Sequence, residues 1–385
     1  MPGHSHSLAH DFRTDFDGTP VEFQLDREHG GAVYAWAKKT GIDPSDIIDF
    51  SASINPLGPP ASARKAFKKS YVEIARYPDP YGEELREALA KRHEIKANEV
   101  LLGNGSTQLI YLVCMALQPR KALVVVPAFS EHANALKLAG GRVHFLSLAN
   151  RGGDFRFSTE QFMAAWCKDD DVAFLTTPNS ITGQLIPQEE IEKIARVALV
   201  RKRFLVVDEA FVDFVEGESV KQLIKENPYL IVLRSLTKYY SLPGLRLGYL
   251  LAHSQRVAQF AAYLEPWSVN GPAQQVALAC LGDTNFILKT ERWLHRERNF
   301  LTQALIELKS FHPYSSNTNF LLVRIASNAS AVALRSFLLP KKMLIRSCDS
   351  FPGLGLDYFR IAIRRRKDNR RLINALEEWT AGPIL

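Results

Sequence analysis

The chain has 385 residues, 46% of them hydrophobic and 23% charged, with a formal net charge of +7. That length exceeds what one hydrophobic core usually accommodates, so two domains are expected, and the composition excludes wholesale disorder. The apolar stretch 109–117 is too short to span a bilayer, and no nucleic-acid-binding motif accompanies the positive charge; the charge therefore points to small anions, not to a membrane or nucleic acid.

Residues 1–20 are polar and lack the apolar centre of a secretory signal, so they read as a flexible tail. His4, His6 and His10 within it are weak metal candidates, and a solvated tail is the plainer reading. Cys114, Cys167, Cys280 and Cys348 lie far apart with no CxxC spacing. They give no zinc or iron–sulfur motif and fit reduced thiols in the cytoplasm, so no metal is expected. Segment 21–65 is too short to fold alone and is expected to pack with a small C-terminal domain. Over 66–270, short apolar runs at 100–102, 122–126, 143–148, 172–176, 204–207, 230–233 and 247–251 alternate with helical patterns. Their apolar character is continuous, as in strands covered on both faces. The helical stretch 108–117 puts Leu109, Leu112, Val113, Ala116 and Leu117 on one face. This predicts an α/β domain with a mostly parallel seven-stranded sheet and functional loops at the carboxyl ends of its strands. Pro266, Gly271 and Pro272 break the pattern. A helical region at 273–308, strands at 319–325, 343–345 and 358–363, and a last helix at 369–379 predict a smaller α+β domain over 271–385. The basic runs 201–203 and 364–367 read as solvated strand ends or as a local field for anionic substrates.

The strongest local signal runs from Arg234 to Tyr249. It places a hydroxyl (Ser235), an amine (Lys238) and a guanidinium (Arg246) around one loop at a strand end. An amine among cationic and apolar neighbours can have a lowered pKa and form imines with carbonyl compounds. A hydroxyl and an arginine suit a phosphate dianion. Asp208 falls just past an apolar strand, where a buried carboxylate needs a cation such as a protonated pyridine nitrogen, unless it is a surface turn acid. Gly105, Ser106 and Thr107 open a helix after a strand and a turn. Free N–H groups there favour phosphate, and a plain helix cap explains the string equally well. Phe129, after the next strand, either stacks on a planar cofactor or fills the core.

In this order, these elements resemble the aspartate-aminotransferase-like superfamily, the fold type I pyridoxal-phosphate enzymes, over about 29–363. Within it the chain is similar to the histidinol-phosphate aminotransferases and, more so, to the threonine-phosphate decarboxylases of cobalamin biosynthesis. The strings that point to the second group are His29-Gly30-Gly31, residues 49–58, Pro243 before Gly244 (aminotransferases usually carry Ala there), 266–270, 345–348 and 352–354. The resemblance implies pyridoxal 5′-phosphate attached to Lys238, with Asp208 on its pyridine nitrogen and Phe129 against its ring. Ser235, Arg246, Gly105, Ser106 and Thr107 would hold its phosphate. Tyr77 would reach the cofactor of a second subunit, which implies a homodimer. The implied substrate is a small phosphorylated amino acid. Its carboxylate would lie on Arg360 and its phosphate on His29, Gly30 and Arg346, with Arg360 shared as an alternative; Ser53 and Asn55 would line the same side.

Three departures bear on the reaction. Asn179-Ser180-Ile181 stands where the family reads Asn-Asn-Pro. Either Asn179 or Ser180 then meets the ring oxygen, and the loop is expected to differ locally, because a cis bond without proline costs roughly 2.5–4 kcal/mol. Phe211 replaces the Tyr of aminotransferases, as it does in the decarboxylases. Ser53 replaces an Asn, which leaves threonine phosphate and serine phosphate both open. The expected reaction is decarboxylation of L-threonine O-3-phosphate to (R)-1-amino-2-propanol O-2-phosphate, or of serine phosphate to ethanolamine phosphate. The alternative is a histidinol-phosphate aminotransferase. A cofactor-binding regulator is disfavoured, because no DNA-binding module is appended.

Overall fold

The computed structural model describes residues 29–151, 154–327 and 329–381, without the side chains of 149–151. The expected tail 1–20, with His4, His6 and His10, and residues 21–28 lie outside these. Seven strands form the larger sheet: β1 (Val100–Gly103), β2 (Lys121–Val126), β3 (Arg142–Ser147), β4 (Val172–Thr176), β5 (Phe204–Asp208), β6 (Leu230–Ser235) and β7 (Gly248–Ala252). Their spatial order is β1-β7-β6-β5-β4-β2-β3. β7 runs antiparallel to both neighbours, and the other pairs are parallel.

The continuous apolar runs are covered on both faces, and successive residues part accordingly. Val207 and Val232 enter the core on one side; Val206, Ile231 and Leu233 enter the core on the other. Helices α1 (Gly105–Leu117) and α2 (Ser130–Leu138) pack on that second side through Leu109, Val113, Ala135 and Leu136. Alternation therefore turns Asp208, two residues after Val206, and Ser235, two after Leu233, toward the face where α1 and α2 begin.

The smaller sheet has strands β8 (Phe311–Pro313), β9 (Phe320–Ile325), β10 (Arg346–Ser347) and β11 (Tyr358–Ala362), ordered β8-β9-β11-β10 and antiparallel throughout. Its core includes Phe50 from the N-terminal segment. Just before Phe50, Ile48–Asp49 pairs in parallel with Met343–Leu344.

Two expectations change. The helical region 273–308 is two helices, Gly271–Leu281 and Thr284–Glu307. Gly282 interrupts it, and the Asp283 carboxylate caps the second helix by accepting from Phe286 N at 3.0 Å. The run 364–367 is partly solvated, with Arg365 and Lys367 exposed, but it also makes fixed contacts. Arg364 donates to Asp49 O at 2.9 Å, Arg365 to Pro56 O at 2.9 Å and Arg366 to Glu297 at 2.9 Å, so the three arginines fasten the N-terminal segment and the long helix to the small sheet. Among the described residues no helix is long and apolar enough to cross a membrane, and the four cysteines are free.

Candidate active site

The carboxyl ends of β5 and β6 place opposite charges near each other. Asp208 is buried. One oxygen accepts from Ala210 N at 3.0 Å, and the other lies 2.9 Å from His132 Nε2 in the first turn of α2. Lys238 follows β6 on a single helical turn, with Nζ 3.4 Å from Ser235 Oγ and 5.8 Å from the Phe211 ring centre. Burial pulls the amine down to about 8; Asp208 opposes this, while Arg246 and Arg360 add to it. About a tenth of such an amine is neutral at pH 7, far more than of an ordinary lysine, and the neutral form is what attack on an aldehyde requires.

An anion cradle lies beside it. Gly105 opens α1 at φ +81°, and a Cβ there would stand 2.6 Å from Arg246 Nη2. A Cβ on Gly248 would stand 2.3 Å from Ser106 N. The two glycines thus let a guanidinium and a helix start close on the same space. Arg246 donates to Pro243 O at 3.3 Å and has no carboxylate partner among the described residues. Thr107 lies in the same first turn, and the Ser235 hydroxyl lies 2.8 Å from Thr237 Oγ1. Phe129 precedes α2, half-buried and edge-on to His132. Tyr77 lies apart on the surface, 81% exposed, its ring 4.7 Å from that of Trp267.

The small sheet supplies the facing wall. Arg346 on β10 and Arg360 on β11 are direct cross-strand neighbours. Arg360 donates to Ser180 O and to Ser51 O, while its Nε, also buried, has no partner. Burial, with Arg346 adding, lowers its guanidinium to about 10. Arg346 is buried and donates to Ser350 Oγ at 3.1 Å. The hydroxyls of Ser53 and Ser180 and the amide oxygen of Asn319 are buried without a partner. Leaving such groups unmade costs about 1–3 kcal/mol each, so a polar ligand at this wall would be stabilising. Gly30 is pressed against Ser51, since a Cβ there would stand 2.2 Å from Ser51 O. The His29 ring lies 5.4 Å from that of Phe129.

Two expectations are sharpened here. Asn179 accepts from Ile181 N and Thr182 N and donates to Pro127 O, each at 2.9 Å, so it braces its own loop and leaves Ser180 with the unpaired hydroxyl. Asn55 is corrected from a substrate contact to a brace. Its amide donates to Tyr239 O at 2.9 Å and Thr290 Oγ1 at 3.0 Å and accepts from Leu57 N, while its backbone N–H donates to Lys238 O. Phe211 is buried edge-on to Phe320 and offers no hydroxyl. Sequence reasoning missed His132, Glu131 and Asn319. Only the helical first turn after Phe129 hinted at the first two.

A buried lysine with a lowered pKa, a buried carboxylate at the neighbouring strand end and a glycine-lined helix start beside an arginine would fit pyridoxal phosphate, and the sheet order is that of the fold type I pyridoxal-phosphate enzymes. The chain belongs to the aminotransferase class I and II family, whose pattern matches residues 45–376. It is 38% identical over 356 residues to the threonine-phosphate decarboxylase of Salmonella typhimurium, covering 92% of this chain and 97% of that one. Among solved structures it is similar to the histidinol-phosphate aminotransferase of Clostridium acetobutylicum (TM-score 0.81, 29% identity, 86% of this chain and 98% of that one). It is also similar to the L-threonine-O-3-phosphate decarboxylase of Porphyromonas gingivalis (TM-score 0.76, 28% identity, 86% and 99%).

Proposed function

We propose that the protein is a pyridoxal-phosphate-dependent decarboxylase of L-threonine O-3-phosphate, yielding (R)-1-amino-2-propanol O-2-phosphate for cobalamin biosynthesis. The observation that carries this is the Arg346–Arg360 pair, whose Arg360 charge is close enough to act on the Lys238 amine. Two guanidiniums suit a substrate with two anionic groups. The similarity to threonine-phosphate decarboxylase and the missing hydroxyl at Phe211 support loss of CO2 over amino transfer. L-serine O-phosphate, which differs by one methyl, would be taken also or instead, yielding ethanolamine phosphate.

When bound, pyridoxal phosphate supplies an aldehyde for the substrate amine and a conjugated ring that accepts the electrons of a breaking Cα bond. Lys238 would hold it covalently, Asp208 would pair with its ring nitrogen, and Phe129 would lie against the ring. Ser180 would meet the ring oxygen, and Ser235, Arg246 and the start of α1 would take its phosphate. His132 and Ala210 N keep the Asp208 carboxylate aimed. Arg360 would take the substrate carboxylate, and Arg346, His29 and Gly30 the substrate phosphate, with Ser53 beside them. Fixing both ends of a short molecule decides which Cα bond stands in the reactive direction. The Lys238 amine would hold the proton that takes the place of CO2 at Cα. The protein would work as a cytoplasmic homodimer; Tyr71, Val72, Ile74, Tyr77 and Tyr81 form an exposed apolar group that a second copy would cover.

The test is a CO2-release assay on purified, cofactor-loaded protein with threonine phosphate, serine phosphate and histidinol phosphate. Release from threonine phosphate, at least tenfold above background, is expected. Amino transfer from histidinol phosphate to 2-oxoglutarate with no CO2 from either phosphorylated hydroxy amino acid would overturn the reading.

A further inference from the structure

A buried carboxylate beside the site has no part in the chemistry above. Glu131 lies in the first turn of α2, between Phe129 and His132, and is 7% exposed. One oxygen lies 3.1 Å from His29 Nε2 and accepts from Asn134 Nδ2 at 3.1 Å. The other accepts from the Tyr111 hydroxyl on α1. Three donors from three stretches of chain therefore meet on one carboxylate: α1, which opens the phosphate cradle, α2, which carries the Asp208 partner His132, and the N-terminal segment. In that segment, Gly30 rests on Ser51, whose carbonyl also takes Arg360. A buried carboxylate gathers donors because its charge is costly without them. Glu131 therefore touches both the His29 ring and the two helices that border the cradle.

We propose that Glu131 is a positioning residue for substrate phosphate: it holds the His29 ring by Nε2 and so sets how that ring faces the phosphate. This rests on reading the site as one for a phosphorylated amino acid. The arrangement also resolves an electrostatic conflict. A bare carboxylate near a phosphate pocket repels its ligand. Here Tyr111 and Asn134 donate to it and His29 lies 3.1 Å from it, so its charge is met within the protein. An amino acid without phosphate gains nothing from His29, so Glu131 acts on selectivity and not on the chemical step.

The test is a double-mutant cycle on the cofactor-loaded protein, with His29→Ala, Glu131→Gln and the double variant. Kinetics with threonine phosphate are read beside calorimetric titration of inorganic phosphate. Glu131→Gln is expected to raise KM and the phosphate dissociation constant about tenfold with kcat within about twofold. In the His29→Ala background the same change should add less than about twofold. Should Glu131→Gln not fold, Tyr111→Phe replaces it, with a smaller KM rise that again vanishes without His29. Effects that multiply in the double variant, an unchanged KM, or a kcat loss at constant KM would each overturn the proposal. The phosphate titration needs no turnover, so it judges Glu131 even if the wild type releases no CO2. Absent CO2 release with the titration pattern intact counts against the substrate reading alone.

Discussion

The two sides of the site are built on opposite electrostatic plans. On the large-sheet side, charges of opposite sign face one another: Asp208 acts on Lys238, and each has a polar neighbour in His132 or Ser235. On the small-sheet side, two arginines stand as direct cross-strand neighbours, an arrangement that is destabilising for like charges. Arg360 is met by carbonyl oxygens, and the nearby hydroxyls of Ser53 and Ser180 are buried without partners. The first side pairs its charges within the protein; the second sets two like charges beside buried hydroxyls that have no partner.

The largest effect that could break this comparison is at Lys238. Lys238→Ala should remove all activity and the yellow absorbance of the attached cofactor, and borohydride should no longer fix cofactor to the chain. Survival of that absorbance at full strength would show that another residue holds the cofactor. Next comes the opposing wall. Arg346→Ala should raise KM for threonine phosphate by about 10–100-fold, the worth of hydrogen bonds to a charged group, and affect unphosphorylated threonine much less. Equal effects on both amino acids would take the phosphate role from Arg346. The smallest effect concerns the titration of Lys238 in cofactor-free protein. Because burial lowers the amine to about 8, the neutral form dominates above that pH. The rate of cofactor capture should therefore climb with pH and level off above about 8, where an ordinary lysine would keep climbing to about 10.4. A climb continuing past pH 9 would show that the site does not depress the amine.

Much of the fold was legible because strands buried on both faces announce themselves. The run Leu230–Ser235 is apolar up to Arg234, and the chemistry begins at its end. The positions of Lys238, Asp208 and the Gly105 turn were legible for the same reason: each comes at or just after the carboxyl end of such a strand. The break at Gly282 was overlooked because apolar residues continue on both sides of it, although Gly followed by Asp is itself a stop-and-cap signal.

What the sequence determined by itself was therefore the order of elements and the residues at strand ends, set by local periodicity and turn chemistry. Tertiary structure alone decided that His132 meets Asp208 across 76 positions and that Asn55 reaches Thr290 across 235. It also decided that Arg346 and Arg360 lie side by side and that Glu131 gathers His29 and Tyr111. Those pairings follow from how helices and sheets pack against one another, and a hydrophobic period records that a face is covered without recording what covers it.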